Sequence, residues 1–311
     1  MLRRILFASL ALTLLLAACA PATPAAPTPT PTPAPINLTD GLGRKVSLPA
    51  PAQRVVSMAP SNTEILFAIG AGDQVVGRDE FSDYPASVKS LPSVGGSMGQ
   101  YSLEQIVALK PDLVLAGGIN TPEQVKSLED LGLTVYFLGN PTTLEEMYAN
   151  LATVGQLTGH SGEAQQETQS LQARVAAVDK KLATIADRPS VFYEIDASDP
   201  NKPYTSGKGT FIDQLISRAG GVNVAADVTD PYPQLGLEQL VVSDPAIILL
   251  GDSAYGVTAE QVAARPGWSE LSAVKNNKIF TFDDNLVSRP GPRLVDGLEQ
   301  LAKLLHPELF Q

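Results

Sequence analysis

One unit of fifteen residues occurs twice in the chain. Leu103–Gly117 reads LEQIVALKPDLVLAG and Leu237–Gly251 reads LEQLVVSDPAIILLG, and the two copies align without a gap. Each copy predicts a short helix, a break at the shared proline, and then an apolar run ending in glycine, which is typical of a parallel strand covered on both faces. Two copies are too few for a solenoid, so the repeat predicts two similar α/β lobes.

The remaining pattern predicts how the two lobes are joined. Strand and helix patterns alternate over 37–159 and again over 189–311. Between them, 160–188 contains a long stretch of helical periodicity, about seven turns over 161–187 at 3.6 residues per turn. We therefore predict an α/β protein with two doubly wound Rossmann-like lobes, joined by one long α-helix, and a ligand cleft between the lobes.

The N-terminus predicts export and lipidation. Two arginines precede a short apolar run, and Leu16-Ala17-Ala18-Cys19 resembles the bacterial lipobox, in which the cysteine is acylated and becomes the mature N-terminus. The alternative is a plain secretory signal that contains a cysteine. We expect a signal peptide over 1–18 and a lipidated Cys19 opening a Pro/Thr/Ala-rich tether over 19–36. Such a protein would be held at the outer face of the cytoplasmic membrane.

Charge and composition exclude several other functions. The net charge of −11 disfavours nucleic acid as a partner, because nucleic acid binding requires a basic face. The two histidines, His160 and His306, are expected at the surface near helix ends, and Cys19 is the only cysteine. A resident metal, a cofactor and a Ser-His-Asp triad are therefore not expected. We predict a binding protein and not an enzyme, with an exported α/β enzyme as an alternative.

Aromatic residues on loops indicate a ligand site. Phe81, Tyr84, Tyr101, Tyr204 and Tyr232 each follow a predicted strand or precede a predicted helix. Open α/β sheets bind their ligands on such loops, so these residues predict an aromatic-walled cleft. The single tryptophan lies in RPGWSEL, and we expect it to pack in the core.

Several blocks of the sequence resemble a known family. RVVSMAPSNTEILFAIGAGDQVVG, FSDYP, SLEQIVALKPDLVLAGG, YTSGKGTFIDQLISRAGGVNV and PQLGLEQL are similar to the cobalamin and ferric-siderophore class of ABC-transporter substrate-binding proteins, most of all to its cobalamin-binding members. The resemblance implies a monomer that delivers its ligand to an ABC permease dimer with an ATPase. It also implies that Glu104 and Glu238 each dock on one half of the permease. The alternative is that both glutamates only favour their helix dipoles.

The resemblance also implies a ligand and its contacts. Cobalamin binders place aromatic residues where this chain has Phe81, Tyr204 and Tyr232, and we add Tyr101 and Arg289 as ligand-binding candidates. Those members carry tryptophan on two loops where this chain has none. If Arg78 and Arg289 face the cleft, they would instead suit an anionic ferric siderophore or haem. A sensor or scaffold without a permease is a further alternative.

Overall fold

The repeated unit forms the same helix and strand in both halves of the chain. The structure, a computed structural model, describes residues 34–310, so Cys19 and the signal peptide lie outside the described residues. The strands are β1 Ile36–Thr39, β2 Lys45–Leu48, β3 Val55–Ser57, β4 Val75–Arg78, β5 Leu113–Ala116, β6 Val135–Phe137, β7 Ser190–Glu194, β8 Val222–Asn223, β9 Ile247–Leu250 and β10 Ile279–Thr281. The helices are α1 Pro60–Ala68, α2 Leu103–Ala108, α3 Pro122–Asp130, α4 Leu144–Thr158, α5 Ser161–Leu182, α6 Phe211–Arg218, α7 Leu237–Ser243, α8 Ala259–Ala263, α9 Ser272–Lys275, α10 Asn285–Ser288 and α11 Leu294–Leu305.

The N-terminal lobe is built on a parallel sheet with the strand order β4-β3-β5-β6. Every residue of β3, β5 and β6 is buried, as the continuous apolar runs predict for strands covered on both faces. Successive residues point to opposite sides of the sheet. Val55 and Leu113 belong to one apolar cluster, and Val56 and Val114 belong to another.

The C-terminal lobe repeats the topology of the N-terminal lobe. Its parallel sheet has the order β10-β9-β7-β8. When the strands are numbered within each lobe, both sheets have the order 2-1-3-4, and the repeated strands β5 and β9 take the same third position. The prediction of two doubly wound lobes is confirmed, and each duplicated unit occupies an equivalent place in its lobe.

The long helix α5 joins the lobes through a shared core. Its buried face carries Leu171, Val175, Val178 and Leu182. These residues belong to one apolar cluster that also contains residues from the strands of both sheets. Each such side chain contributes roughly 1.5–3 kcal/mol by leaving water, so separating the lobes from the helix would be costly.

The helix α5 is shorter than its sequence pattern predicts. Periodicity suggested a helix over 161–187, but α5 ends at Leu182. There the amide of Ile185 donates to the carbonyl of Leu182 at 3.2 Å, which closes a tight turn. The residue before Pro189 is restricted to extended conformations, so the chain has to leave the helix before it enters β7.

One short hairpin was not expected from the sequence. The strands β1 and β2 form an antiparallel hairpin, and Asp40 closes its turn by accepting hydrogen bonds from the amides of Leu42 and Arg44 at 3.0 and 2.9 Å. The hydroxyl of Tyr136 donates to the carbonyl of Thr39 at 3.0 Å and so attaches the hairpin to the N-terminal sheet.

The surface position expected for His306 is wrong. Its side chain is buried, because the chain after α11 packs against Gly220, whose carbonyl lies 3.2 Å from Nε2 of the histidine. His160 is half-buried. Over residues 34–310, no group of three or more histidine, cysteine or acidic residues could hold a metal ion, and no helix has the length and apolarity needed to cross a membrane.

Candidate functional site

A cavity of about 610 Å³ lies between the two lobes. The loops that follow β3, β4, β5 and β6 form its N-terminal wall, at the carboxyl ends of parallel strands, where open α/β sheets bind ligands. The C-terminal lobe contributes Tyr232 and residues 288–290. Small-molecule sites span roughly 300–1,000 Å³, so this cavity has the size of a ligand site.

Large apolar side chains in the cavity wall are exposed to solvent. Phe81 is 51% exposed, Tyr232 is 56% exposed and Ile119 is 59% exposed, and Met98 projects almost fully into solvent. Folded proteins usually bury such groups, so their clustering around one cavity indicates a surface that a ligand covers. Of the five predicted ligand-binding residues, the structure brings together Phe81, Tyr101, Tyr232 and Arg289 around this cavity.

Tyr101 is fixed at the back of the cavity by two hydrogen bonds. Its hydroxyl donates to the carbonyl of Met58 at 3.1 Å and accepts from Nδ2 of Asn120 at 2.9 Å. Burial raises the pKa of the Tyr101 hydroxyl, so it remains a neutral phenol. The loop before it turns at Gly95 (φ +90°), where a Cβ would lie 2.7 Å from the carbonyl oxygen of Gln100.

The loop that carries Phe81 is held by a buried carboxylate. Asp79 is completely buried and accepts from the amide of Phe81 at 2.9 Å and from the hydroxyl of Ser82. Ser82 in turn lies 2.7 Å from the hydroxyl of Thr63 on α1. Burial raises the pKa of Asp79, although these hydrogen bonds oppose the rise. The network positions an apolar ring at the cavity mouth.

The charge of Arg289 is neutralised by the N-terminal lobe. Nη1 of Arg289 lies 2.6 Å from Oδ1 of Asp83 and 3.4 Å from Oε1 of Glu64. Glu64 is 2% exposed and also binds Arg293, whose Nε lies 3.0 Å from Oε2. Two carboxylates thus face two guanidinium groups across the lobe interface. Sequence reasoning missed Glu64 and Asp83, and the available signal was one acidic residue inside the apolar helix TEILFA.

The carboxylates in this cluster respond differently to their surroundings. Burial raises the pKa of Glu64, and the two arginines only partly offset that effect. Burial also acts to raise the pKa of Asp83, but the hydrogen bond and charge of Arg289 outweigh it, so the pKa of Asp83 lies below its ordinary value. The half-exposed Asp83 is therefore the more firmly ionised of the two.

Arg78 does not face the cavity. Its guanidinium donates to the carbonyls of Val88, Asp79 and Glu80 at 3.1, 2.9 and 3.0 Å. These bonds hold Nε and Nη1 of Arg78 against the backbone of its own loop. The suggestion that Arg78 meets an anionic ligand in this cavity is wrong, because Arg78 is not among the residues that line it and its Nε and Nη1 are bonded to backbone carbonyls.

Other aromatic residues lie outside the cavity wall. Tyr204 is 43% exposed and is not among the residues that line the cavity, although it bridges Gln234, two residues along from Tyr232. Its contact with ligand stays a prediction. The ring of Tyr84 stacks under Arg293 at 4.2 Å. Trp268 is fully buried, which confirms its packing role.

Glu104 and Glu238 occupy matching positions on the two lobes. Each is the second residue of its helix, α2 or α7, and each is exposed. Both helices lead directly into a parallel strand, so their N-termini lie at the carboxyl edge of each sheet, level with the cavity. Exposed valines follow three residues later, Val107 at 42% and Val241 at 44%.

The structure extends the repeat beyond the fifteen residues seen in the sequence. TPEQV at 121–125 and TAEQV at 258–262 each start a helix after the repeated strand, and both form a complete capping box. Each contains an exposed glutamate, Glu123 or Glu260, again at the second helical position. Three inserted residues hide this match from a gapless alignment.

A second group of buried charges lies in the C-terminal lobe, away from the cavity. Arg265 donates two hydrogen bonds to the buried carboxylate of Glu194, at 2.5 and 2.8 Å, and stacks on Trp268 at 4.6 Å. Asp252 is also buried, and its Oδ1 has no hydrogen-bond partner. Burial raises the pKa of Asp252 to about 7, and the charge of Glu194 adds to the rise. One arginine faces two carboxyl groups here.

Comparison with known proteins relates most of the chain to solute-binding proteins. The sequence model of the periplasmic binding protein family matches residues 55–286. The uncharacterized ABC transporter substrate-binding lipoprotein YvrC of Bacillus subtilis is 35% identical over 281 residues, which cover 89% of this chain and 87% of that protein. The periplasmic vitamin B12 binding protein BtuF of Vibrio cholerae has a crystal structure with a TM-score of 0.71 at 31% identity, covering 84% of this chain and 99% of that chain. The apo form of the periplasmic heme-binding protein RhuT from Roseiflexus sp. RS-1 gives 0.74 at 26% identity, covering 83% and 99%.

Proposed function

The chain belongs to the periplasmic binding protein family, and from that premise we propose that it is a lipid-anchored protein that delivers a corrinoid to an ABC importer. Membership confirms the resemblance identified from the sequence blocks, and with it the prediction of a binding protein and not an enzyme. Its relatives are extracytoplasmic solute-binding proteins. The ligand, the anchor and the docking residues belong to the proposal.

The main support for this proposal is the chemistry of the cavity wall. Phe81, Tyr101 and Tyr232 supply aromatic surface, and the one charged lining residue among those described, Arg289, is already paired. An aromatic-walled cavity without a free charge suits a large, mostly uncharged ring such as a corrinoid. The vitamin B12 binding protein at 31% identity supports the same ligand class.

Haem is the second candidate ligand. Met98 is 94% exposed and lines the cavity together with Tyr101 and Tyr232. Thioether and tyrosine oxygen atoms are axial ligands of haem iron in proteins, and because the Tyr101 hydroxyl is already bonded to Met58 and Asn120, Met98 and Tyr232 would be the residues to hold the iron. The similarity to a heme-binding protein at 26% identity supports this alternative, but the paired Arg289 leaves no free cation in the described wall for haem carboxylates.

A titration decides between these ligands. The whole chain, purified in detergent, would be titrated with cyanocobalamin, dicyanocobinamide, hemin and a ferric hydroxamate complex, with calorimetry and absorbance as readouts. We expect saturable binding of both corrinoids and weaker binding of the other two. Tight hemin binding with a shifted Soret band, without corrinoid binding, would refute the corrinoid assignment.

Anchoring through Cys19 supports the placement at the membrane. The lipobox precedes a proline-rich stretch, and the relative YvrC is named a lipoprotein. We expect the Cys19→Ser protein to be released from membranes or to remain unprocessed, because the lipid is attached to the cysteine sulfur, which serine lacks. Ala18→Gly, which keeps a small residue before the cysteine, is the control. A processed, membrane-bound Cys19→Ser protein would show that the anchor lies elsewhere.

Docking on the permease is assigned to Glu104 and Glu238. A permease dimer presents two equivalent surfaces, and the chain presents the same exposed carboxylate on equivalent helices of its two lobes. Ionised carboxylates there can pair with arginines on the permease, and exposed Val107 and Val241 extend each contact. The helix-dipole explanation would require no partner.

The repeat itself provides matched controls for the docking test. Glu104→Arg and Glu238→Arg should abolish uptake into vesicles that contain the importer, while ligand affinity in solution stays the same. Glu123→Arg and Glu260→Arg change the charge at the same helical position and should preserve uptake. Uptake that survives in all four variants would support the dipole explanation, and loss of uptake in all four would contradict a docking role specific to Glu104 and Glu238.

A further inference from the structure

The positive charge of Arg289 in the cavity wall is neutralised by carboxylates of the opposite lobe. Arg289 lines the cavity, but its side chain is only 14% exposed. Its donors reach Asp83, Glu64 and the carbonyl of Phe81, the last at 3.3 Å from Nη2. The same carboxylate of Glu64 holds Arg293, so no carboxylate charge in the cluster is spare.

We propose that Glu64 and Asp83 determine the charge selectivity of the cleft, so that it accepts ligands without net charge and rejects anionic chelates. This inference rests on the proposed function, since it concerns the ligand of the same cavity. Neither residue lines the cavity. Both act through Arg289, and they are therefore positioning residues.

Electrostatics explains why two carboxylates are needed. A buried guanidinium that faced the cavity without partners would attract any anionic ligand, because opposite charges a few ångströms apart attract strongly where little water screens them. With Asp83 at 2.6 Å and Glu64 at 3.4 Å, an approaching anion meets a cluster of two positive and two negative groups. Its attraction to Arg289 is offset by repulsion from both carboxylates.

The two carboxylates differ in what their removal would cost. Glu64 is 2% exposed and bonded to two arginines, so replacing it leaves buried guanidinium groups unpaired. Asp83 is 45% exposed and contacts Arg289 from the solvent side. Asp83→Asn therefore keeps the fold while it frees part of the Arg289 charge, and this variant carries the test if Glu64→Gln does not fold.

The experiment measures relative affinity for probes of different charge. The whole chain would be titrated with cyanocobalamin, hemin and a ferric tris-catecholate at two salt concentrations. We expect Asp83→Asn and Glu64→Gln to raise the ratio of anion affinity to cobalamin affinity by about tenfold, an effect that weakens at high salt. Adding Arg289→Gln to Asp83→Asn should remove the gain. Asp73→Asn removes an exposed carboxylate at the opposite end of the N-terminal sheet and should change no ratio.

The outcomes separate this inference from the proposed ligand. Cobalamin binding by the unaltered chain, with no gain in anion affinity in folded Asp83→Asn, would overturn the selectivity role and leave the corrinoid assignment intact. Hemin binding by the unaltered chain that is lost in Arg289→Gln would also overturn it, because Arg289 would then be available to an anion. A gain that persists without Arg289 would show that the carboxylates act by another route.

Discussion

Truncating one cavity aromatic tests the ligand site directly. Tyr232 is 56% exposed and Phe81 is 51% exposed, so about half of each ring is available for a ligand to cover. An aromatic side chain presents about 150–250 Å² in total, and half of that at about 25 cal/mol per Å² corresponds to roughly 2–3 kcal/mol. We therefore expect Tyr232→Ala and Phe81→Ala each to weaken corrinoid binding by roughly 30- to 150-fold.

The assay requires a control variant that loses an exposed aromatic side chain outside the cavity. Tyr255 is 90% exposed and lies on the turn after β9, outside the cavity wall. Tyr255→Ala should keep the affinity of the unaltered chain. Calorimetric titration with cyanocobalamin gives the dissociation constants, and circular dichroism with a urea transition shows whether each variant is folded.

The size of the effect is diagnostic. A folded Tyr232→Ala and a folded Phe81→Ala that both bind as tightly as the unaltered chain would refute the assignment of this cavity. Loss of affinity in Tyr255→Ala of the same size would mean that the effect does not depend on the cavity wall. Weakening by much more than about 3 kcal/mol would indicate that the loop has collapsed, because the exposed area cannot supply more.

Two further predictions concern stability and motion. The pKa of Asp252 is about 7 in the folded protein, against an ordinary value of 3.8 that applies to the unfolded chain. Between about pH 4 and pH 7 the folded protein therefore keeps a proton on Asp252 that the unfolded chain has lost, so stability should fall as the pH rises through this range. Asp252→Asn should remove up to roughly 2–3 kcal/mol of that decline between pH 5 and pH 8, measured as the free energy of unfolding in urea at the two pH values; an equal decline in the variant would contradict the assignment. Ligand should leave the radius of gyration nearly unchanged in small-angle scattering, because α5 and Glu64 tie both lobes together, whereas a contraction typical of domain closure would contradict a rigid connection.

The fold was predictable because its signals are local. Strands such as β5 and β9 are buried on both faces, which requires continuous apolar runs, and a proline separates each from its helix. The missed β1–β2 hairpin also carries a local signal, because exposed and buried residues alternate along β2 and an Asp-Gly pair lies in the turn before it. The end of α5 was missed because the helical periodicity of the sequence continues to residue 187. The helix itself stops at Leu182, where the chain turns towards β7.

The candidate site was only partly predictable. Loop aromatics were found from their places after strands, which is how Phe81 and Tyr232 were identified. Tyr204 has the same local signal, yet its loop directs it outside the cavity wall. The pairing of Glu64 with Arg289 joins positions far apart in the chain, and no local pattern reports such a contact. Whether the charge of a cavity arginine is free or paired with a carboxylate therefore depends on tertiary contacts, which the local sequence does not show.

The distribution of repeated and unrepeated features matches the symmetry of the two proposed partners. A permease dimer has two-fold symmetry, and the features repeated in this chain include the topology of each sheet and exposed glutamates at the start of matched helices: Glu104 and Glu238, and also Glu123 and Glu260. A corrinoid has no such symmetry, and the cavity wall is not repeated. After β5 the chain contributes Gly118 and Ile119 to the cavity, whereas after β9 it turns inward at the buried Asp252. We therefore expect duplication to account for the proposed docking surface and divergence of the loops to account for the proposed ligand site.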